Sequence, residues 1–218
     1  MELIDLSQPL FDGAPNCPAH PPVRIHLEAT HEQHGWQLEM LTLASHTGSH
    51  IDAPLHKLAG GASIDQIPLE RFVGPAVIVD CRDVGADGAI DASLLEARTT
   101  LPLKNMIVLL NTGWGESRRM DDNWKFHSPF LSIDGAQWLI AQRINGVGID
   151  HYSIAGSREP NNARVHEILL GGGAWIVEEL HFPVEAMQAA QPAMMWCLPI
   201  NLKGHSGAFC RPVLAVVS

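Results

Sequence analysis

The chain has 218 residues, 46% apolar and 17% charged, which sustains one large folded domain or two small ones and excludes a disordered chain. A formal charge of −10, with no long run of either sign, excludes nucleic acid as the expected partner, because an acidic surface repels a phosphate backbone. The start, Met1-Glu2-Leu3-Ile4-Asp5-Leu6, carries neither a basic segment nor an apolar stretch of signal length, and no apolar run is long enough to cross a bilayer.

Strand-like runs come first, at residues 2–6, 23–28 and 37–44. The segment 46–56 reads as extended, with a bend at Ala53-Pro54, because Gly48 and Pro54 oppose a helix there. A strand at 76–80, a helix at 91–97 and a strand at 106–110 follow. Ile133, Ala136, Leu139 and Ile140 have helical spacing over 133–144, and Gly146 is the stop. A strand at 147–150 precedes a helix at 163–170, with Asn162 as its cap and Gly171-Gly172-Gly173 as its end. Then come a strand at 174–177, a short helix at 184–190 opened by Pro183, and strands at 194–200 and 213–217. Strands outnumber helices and the two mix irregularly. The expected class is α/β: a mixed domain of packed sheets with a few covering helices, not a doubly wound fold.

Three of the 12 histidines and one aspartate fall within residues 46–56, where composition alone would put fewer than one histidine. His46, His50, Asp52 and His56 all occupy even positions, so an extended chain points them to one side. Imidazole and carboxylate on one face suit a borderline divalent cation. Further ligands are expected from Val165-His166-Glu167 and from Glu178 or Glu179, at the end of an apolar strand where a carboxylate is costly unless paired or metal-bound. His20, His26, His31 and His34 read as surface residues of loops and an edge hairpin. His127, His151, His181 and His205 stay open. Trp36, Trp124, Phe126 and Trp175 read as core, and Trp114 as a wall of the substrate pocket. Arg211 is expected to pair with a carboxylate. The cysteines Cys17, Cys81, Cys197 and Cys210 are widely scattered with no C-x-x-C pair, so free thiols in a reducing cytoplasm are expected.

The run His46-Thr47-Gly48-Ser49-His50-Ile51-Asp52-Ala53-Pro54-Leu55-His56 resembles the signature of the cyclase-like metal-dependent hydrolase family, which includes bacterial kynurenine formamidases and isatin hydrolases. The resemblance continues through Ile67-Pro68-Leu69-Glu70-Arg71, Thr112-Gly113-Trp114, Gly148-Ile149-Asp150, His166, Glu178 and Leu202-Lys203-Gly204. It implies a compact β/β/α domain over residues 1–218, a homodimer or higher homo-oligomer, and two divalent ions, zinc first and manganese second. His46, His50 and Asp52 would hold one ion. Asp52 would bridge to another, held also by His166 and Glu178, which the family's twelve-residue step favours over Glu179. His56 would be the catalytic acid/base. The implied activity is hydrolysis of a small amide or lactam by metal-activated water, with a lactone or carbamate as alternatives. Two departures bear on the substrate: Ser49 stands where threonine is usual, and residues 154–162 lack the aspartate that often follows Ser153-Ile154. Two rivals use the same residues. A non-haem iron oxygenase would use His50, Asp52 and His166 and leave His46 and His56 idle; a non-catalytic metal-binding module would leave His56 without a role.

Overall fold

Continuous β-branched and apolar runs suit strands covered on both faces, and such strands form the middle of this protein. The computed structural model describes residues 1–216. In chain order the elements are β1 (Glu2–Asp5), β2 (Arg24–Ala29), α1 (His31–His34), β3 (Leu38–Thr42), β4 (His50–Asp52), β5 (Val73–Asp80), β6 (Ala89–Ile90), α2 (Ala92–Arg98), β7 (Ile107–Asn111), α3 (Asp122–Phe126) and β8 (Phe130–Leu131). They continue as α4 (Ile133–Ala141), β9 (Gly146–Ile149), α5 (Asn161–Gly171), β10 (Trp175–Glu178), α6 (Val184–Gln188), β11 (Ala193–Trp196), β12 (Gly207–Phe209) and β13 (Val213–Val216). The last predicted strand is thus seen to Val216, and Val217 lies outside the described residues.

The main sheet has nine strands in the order β1-β13-β11-β5-β7-β9-β10-β4-β12. Its centre, β5-β7-β9-β10, is parallel, and both flanks are antiparallel. One face packs Val77, Val79, Val108, Leu110, Val147 and Ile149 under Leu95, Ala136, Leu139, Val165 and Leu169 of α2, α4 and α5. The other face packs Ile51, Ile107, Leu109, Trp175, Val177, Met195 and Leu214 against one another and Leu6 and Phe72. That second core takes little helical cover beyond Ala186 and Met187 of α6, because the sheet curls over it. Residues 207–216 show why: β12 lies at one edge of the sheet, yet the same stretch of chain continues as β13 beside the other edge. The break falls at Cys210-Arg211-Pro212, where proline has no N–H to give to a ladder. The class is the mixed α/β expected, with a few covering helices, and the packing of sheet on sheet is achieved by one mixed sheet curled on itself.

Local chemistry sets most boundaries. The Asp91 side chain accepts from Leu94 N–H at 2.8 Å and caps α2, and Ser132 does the same for α4 through Gly135 N–H. Asn162 does not cap α5, which starts at Asn161 after Pro160. Its side-chain amide instead donates to Ser153 Oγ and Gly156 O, closing the loop before the helix. The hairpin β2–β3 leaves Leu27, Trp36, Leu38, Met40 and Leu41 exposed, so Trp36 is not core. Among the described residues no helix is long and apolar enough to cross a membrane.

Candidate metal centre

Strand alternation accounts for half of the histidine segment. His50 and Asp52 lie on β4 with one residue between them, so both side chains face one way. His46 and His56 arrive by turns. Before β4 the chain bends through Gly48 at φ 65°, a left-handed conformation that glycine adopts without strain, with the Leu10 side chain packed where a Cβ would stand. After β4, Pro54 opens a single 3-10 turn that ends on His56. Sheet register supplies Glu178, the direct cross-strand partner of His50. Helix α5 lays His166 over the same place.

The donors converge. His46 Nδ1 lies 2.6 Å from Asp52 Oδ1, and His50 Nε2 lies 3.4 Å from both Asp52 Oδ1 and Glu178 Oε2. His166 Nε2 lies 3.3 Å from Glu178 Oε1 and 3.8 Å from Asp52 Oδ2. Each histidine keeps its other nitrogen occupied elsewhere. His50 Nδ1 donates to Gly48 O at 2.7 Å, His166 Nδ1 donates to Asn162 O at 2.7 Å, and His46 Nε2 pairs with Ser206 Oγ at 2.9 Å. These bonds orient the rings and aim the remaining nitrogens at the carboxylates, the arrangement that metal-binding histidines require. Asp52 Oδ2 is buried with no hydrogen-bond partner, a costly state that a cation would relieve. The donor set therefore fits divalent metal.

Two groups of donor atoms lie within 4.8 Å of one another: His50, Asp52 and Glu178, and His46, Asp52 and His56. Asp52 belongs to both. This differs from the family-derived partition, because His50 stands as close to Glu178 as to Asp52, and His56 approaches the His46 side. The His56 ring centroid is 4.2 Å from that of His46 and 5.8 Å from that of His166.

Charge is balanced within the cluster. Burial opposes ionisation of Asp52, but the hydrogen bonds with His46 and His50 outweigh it and hold the carboxyl well below its usual range. For Glu178, burial and the Asp52 charge push upward, while His166 and His50 pull the carboxyl down to about 2. His50 is the mirror case: burial works against its charge, yet Asp52 and Glu178 raise it well above a free imidazole. Burial wins at His56 and lowers it to about 4, so that ring is neutral at neutral pH.

The cluster lies in the wall of a cavity of about 320 Å³. Phe126 and Tyr152 supply its aromatic surface, and Lys57, Ser157, Glu159 and Asn162 its polar one. Cys17 and His20 enter from the N-terminal loop. Trp114 is not among the lining residues, which corrects the expectation for it: its indole N–H donates to Trp124 O at 3.1 Å and ties it to α3. His20 was expected at the surface, and Phe126 in the core. No spacing links either to residues 46–56, so only the fold reveals them. Glu179 points away from Glu178 and forms a buried ion pair with Arg118 at 2.6 Å. His151 is buried against Trp124 O, His127 pairs with Asp87, and Arg211 pairs with Asp5 at 2.7 Å; none joins the cluster.

A mixed α/β fold with a buried, shared-carboxylate histidine cluster beside an open cavity defines a metal-binding enzyme class. The Cyclase family model matches residues 4–155, and the chain belongs to that family. It is 27% identical over 172 residues to a kynurenine formamidase from Bacillus cytotoxicus, covering 78% of each chain. A solved structure described as a potential metal-dependent hydrolase with cyclase activity matches 98% of this chain and 96% of its own, at 27% identity and a TM-score of 0.78. Isatin hydrolase A from Labrenzia aggregata shares the fold, with a TM-score of 0.86 over 100% of this chain and 94% of its own, at 24% identity.

Proposed function

We propose that this protein hydrolyses a small amide or lactam in the manner of a kynurenine formamidase, using two divalent ions, zinc first and manganese second. The observation that carries the reading is Asp52: one oxygen faces His46 and His50, while the other is unpartnered on the His166 side. By the family-derived partition His46, His50 and Asp52 would hold one ion, and Asp52, His166 and Glu178 the other, with His50 placed equally near Glu178. When bound, such ions supply Lewis-acid polarisation of a carbonyl and acidify a water.

The chain's own residues do the rest. His56, neutral and beside the cluster, is the acid/base that takes a proton from water and gives it to the leaving nitrogen. Phe126 and Tyr152 receive an aryl group. Cys17 is a poor nucleophile in this cavity, because burial raises its thiol and lowers its thiolate fraction. An iron-oxygenase triad of His50, Asp52 and His166 fits less well, since Glu178 stands against both histidines as a second carboxylate.

Protein loaded with zinc or manganese, metals that these donor types suit, should contain about two ions per chain, since Asp52 belongs to both groups of donors. It should hydrolyse N-formylkynurenine or isatin and lose the activity to a chelator. Metal content near zero after loading defeats the metal reading. Turnover of lactones with both amides untouched would leave a hydrolase but overturn the amide assignment.

A homodimer is part of the same reading, supported by the exposed Leu27, Trp36, Leu38, Met40 and Leu41 of the β2–β3 hairpin. Light scattering should give twice the chain mass for the native protein, and Leu41→Asp should lower it to one chain. A native protein that stays monomeric at all concentrations contradicts it.

A further inference from the structure

Away from the cavity, Cys197 follows β11 and Cys210 follows β12, and their Sγ atoms lie 3.6 Å apart. Neither residue lines the cavity. The backbone sets this approach. Cys197 N–H donates to Phe72 O and Cys210 N–H to Ser49 O, both at 2.9 Å, and Pro199 forms a β-bridge with Cys210. Two thiols held against each other need close by only about 1.5 Å to reach a disulfide bond length of roughly 2.05 Å. Cys197 is fully buried, whereas Cys210 is only partly buried.

We propose that Cys197 and Cys210 form a reversible dithiol–disulfide site whose oxidant is a low-molecular-weight disulfide of the glutathione class. Cys210, as thiolate, attacks one sulfur of the small disulfide, which breaks the S–S bond and expels one small thiolate. Cys197 then gives up its proton and attacks the Cys210 sulfur of the mixed disulfide, expelling the second small thiolate. Two cysteine thiols are oxidised, one small disulfide is reduced, and the two cysteine protons end on the two released thiols. Burial pushes the Cys197 thiol well up, which makes it a poor attacker of a reagent in solution and suits it to the second step, where its target is already in contact.

The link would fasten the interrupted strand at its break. Cys210 adjoins β12, and β12 pairs with β4 so that Gly207 faces Asp52. A Cβ on Gly207 would lie 2.5 Å from His46 Cε1, so β12 is the wall directly behind that ring. Oxidation should therefore stiffen the support of the metal cluster without touching the cavity.

The test is titration of metal-loaded protein with oxidised glutathione, alkylation of the remaining thiols and peptide mapping without reductant. The expected result is a Cys197–Cys210 linked peptide with Cys81 alkylated, reversal by dithiothreitol, a rise in Tm of several degrees, and slower metal loss to a chelator. Cys210→Ser should abolish the link and the rise in Tm. Cys197→Ser should trap glutathione on Cys210. The proposal is overturned if all four cysteines alkylate after oxidation, or if wild-type protein stops at a glutathione adduct on Cys210. A Tm rise that persists in Cys210→Ser overturns the proposed consequence as well.

Discussion

Replacing Asp52 with alanine is expected to empty the metal centre, while replacing His46 empties at most one position. Asp52 Oδ1 approaches His46 and His50, and Oδ2 approaches His166, so one side chain serves both sides of the cluster. Its removal also leaves His50 and His166, whose imidazoles the carboxylates pull upward against burial, with Glu178 as the one carboxylate beside them. Loss of Lewis-acid stabilisation worth several kcal/mol corresponds to a fall in kcat of about 10³-fold or more. Elemental analysis and metal titration of Asp52→Ala and His46→Ala, side by side, check this. Equal loss of a single ion in both variants would mean that Asp52 does not bridge.

His56→Asn should behave in the opposite way, retaining metal and losing turnover. The ring is neutral, stands against His46 rather than between the carboxylates, and sits on a turn at the cavity wall. A positioned proton carrier is worth about 10²–10⁴-fold in rate, and that is the expected fall in kcat, with the corresponding limb of the pH–rate profile flattened. The closeness of His46, Asp52 and His56 donor atoms makes the experiment decisive. A His56→Asn protein that loses an ion with its activity would make His56 a ligand, and the proton carrier would have to be another group.

The sequence made much of this legible because strand and helix periodicities are local. The buried runs that became β5, β7, β9 and β10 stood out as apolar segments, and α4 stood out through Ile133, Ala136 and Leu139. Two-residue strands such as β6 and β8 carry too few residues for any period, and the four-residue α1 is in the same position. Even-position alternation placed His50 and Asp52 correctly, since they share a strand. It succeeded at His46 and His56 for the wrong reason, because turns at Gly48 and Pro54 carry those rings. The residue pattern left Glu178 and Glu179 open and the family's spacing favoured Glu178; sheet register supplies the physical reason, by setting Glu178 opposite His50. His20 and Phe126 stay hidden for another reason: a bend in the N-terminal loop and the end of α3 bring them to the cavity from segments with no sequence relation to the ligands. Trp114 misled because its aromatic character was visible and its partner, the Trp124 carbonyl, was not.

The interrupted strand at 207–216 has a consequence for the order in which the protein assembles. Glu2 is paired with Val216, and β4 is flanked by β10 and β12, residues far later in the chain. Such pairings require long loops to close before any contact repays the lost chain entropy, which makes them slow to form. The helices over β5, β7 and β9 join near neighbours and can gather early. The histidines at 46 and 50 must wait for Glu178 to come alongside and for Ser206 and Gly207 to close behind them. A chain still emerging from synthesis thus lacks the wall behind His46 until β12 is made, and the completed cluster belongs to a late stage of folding.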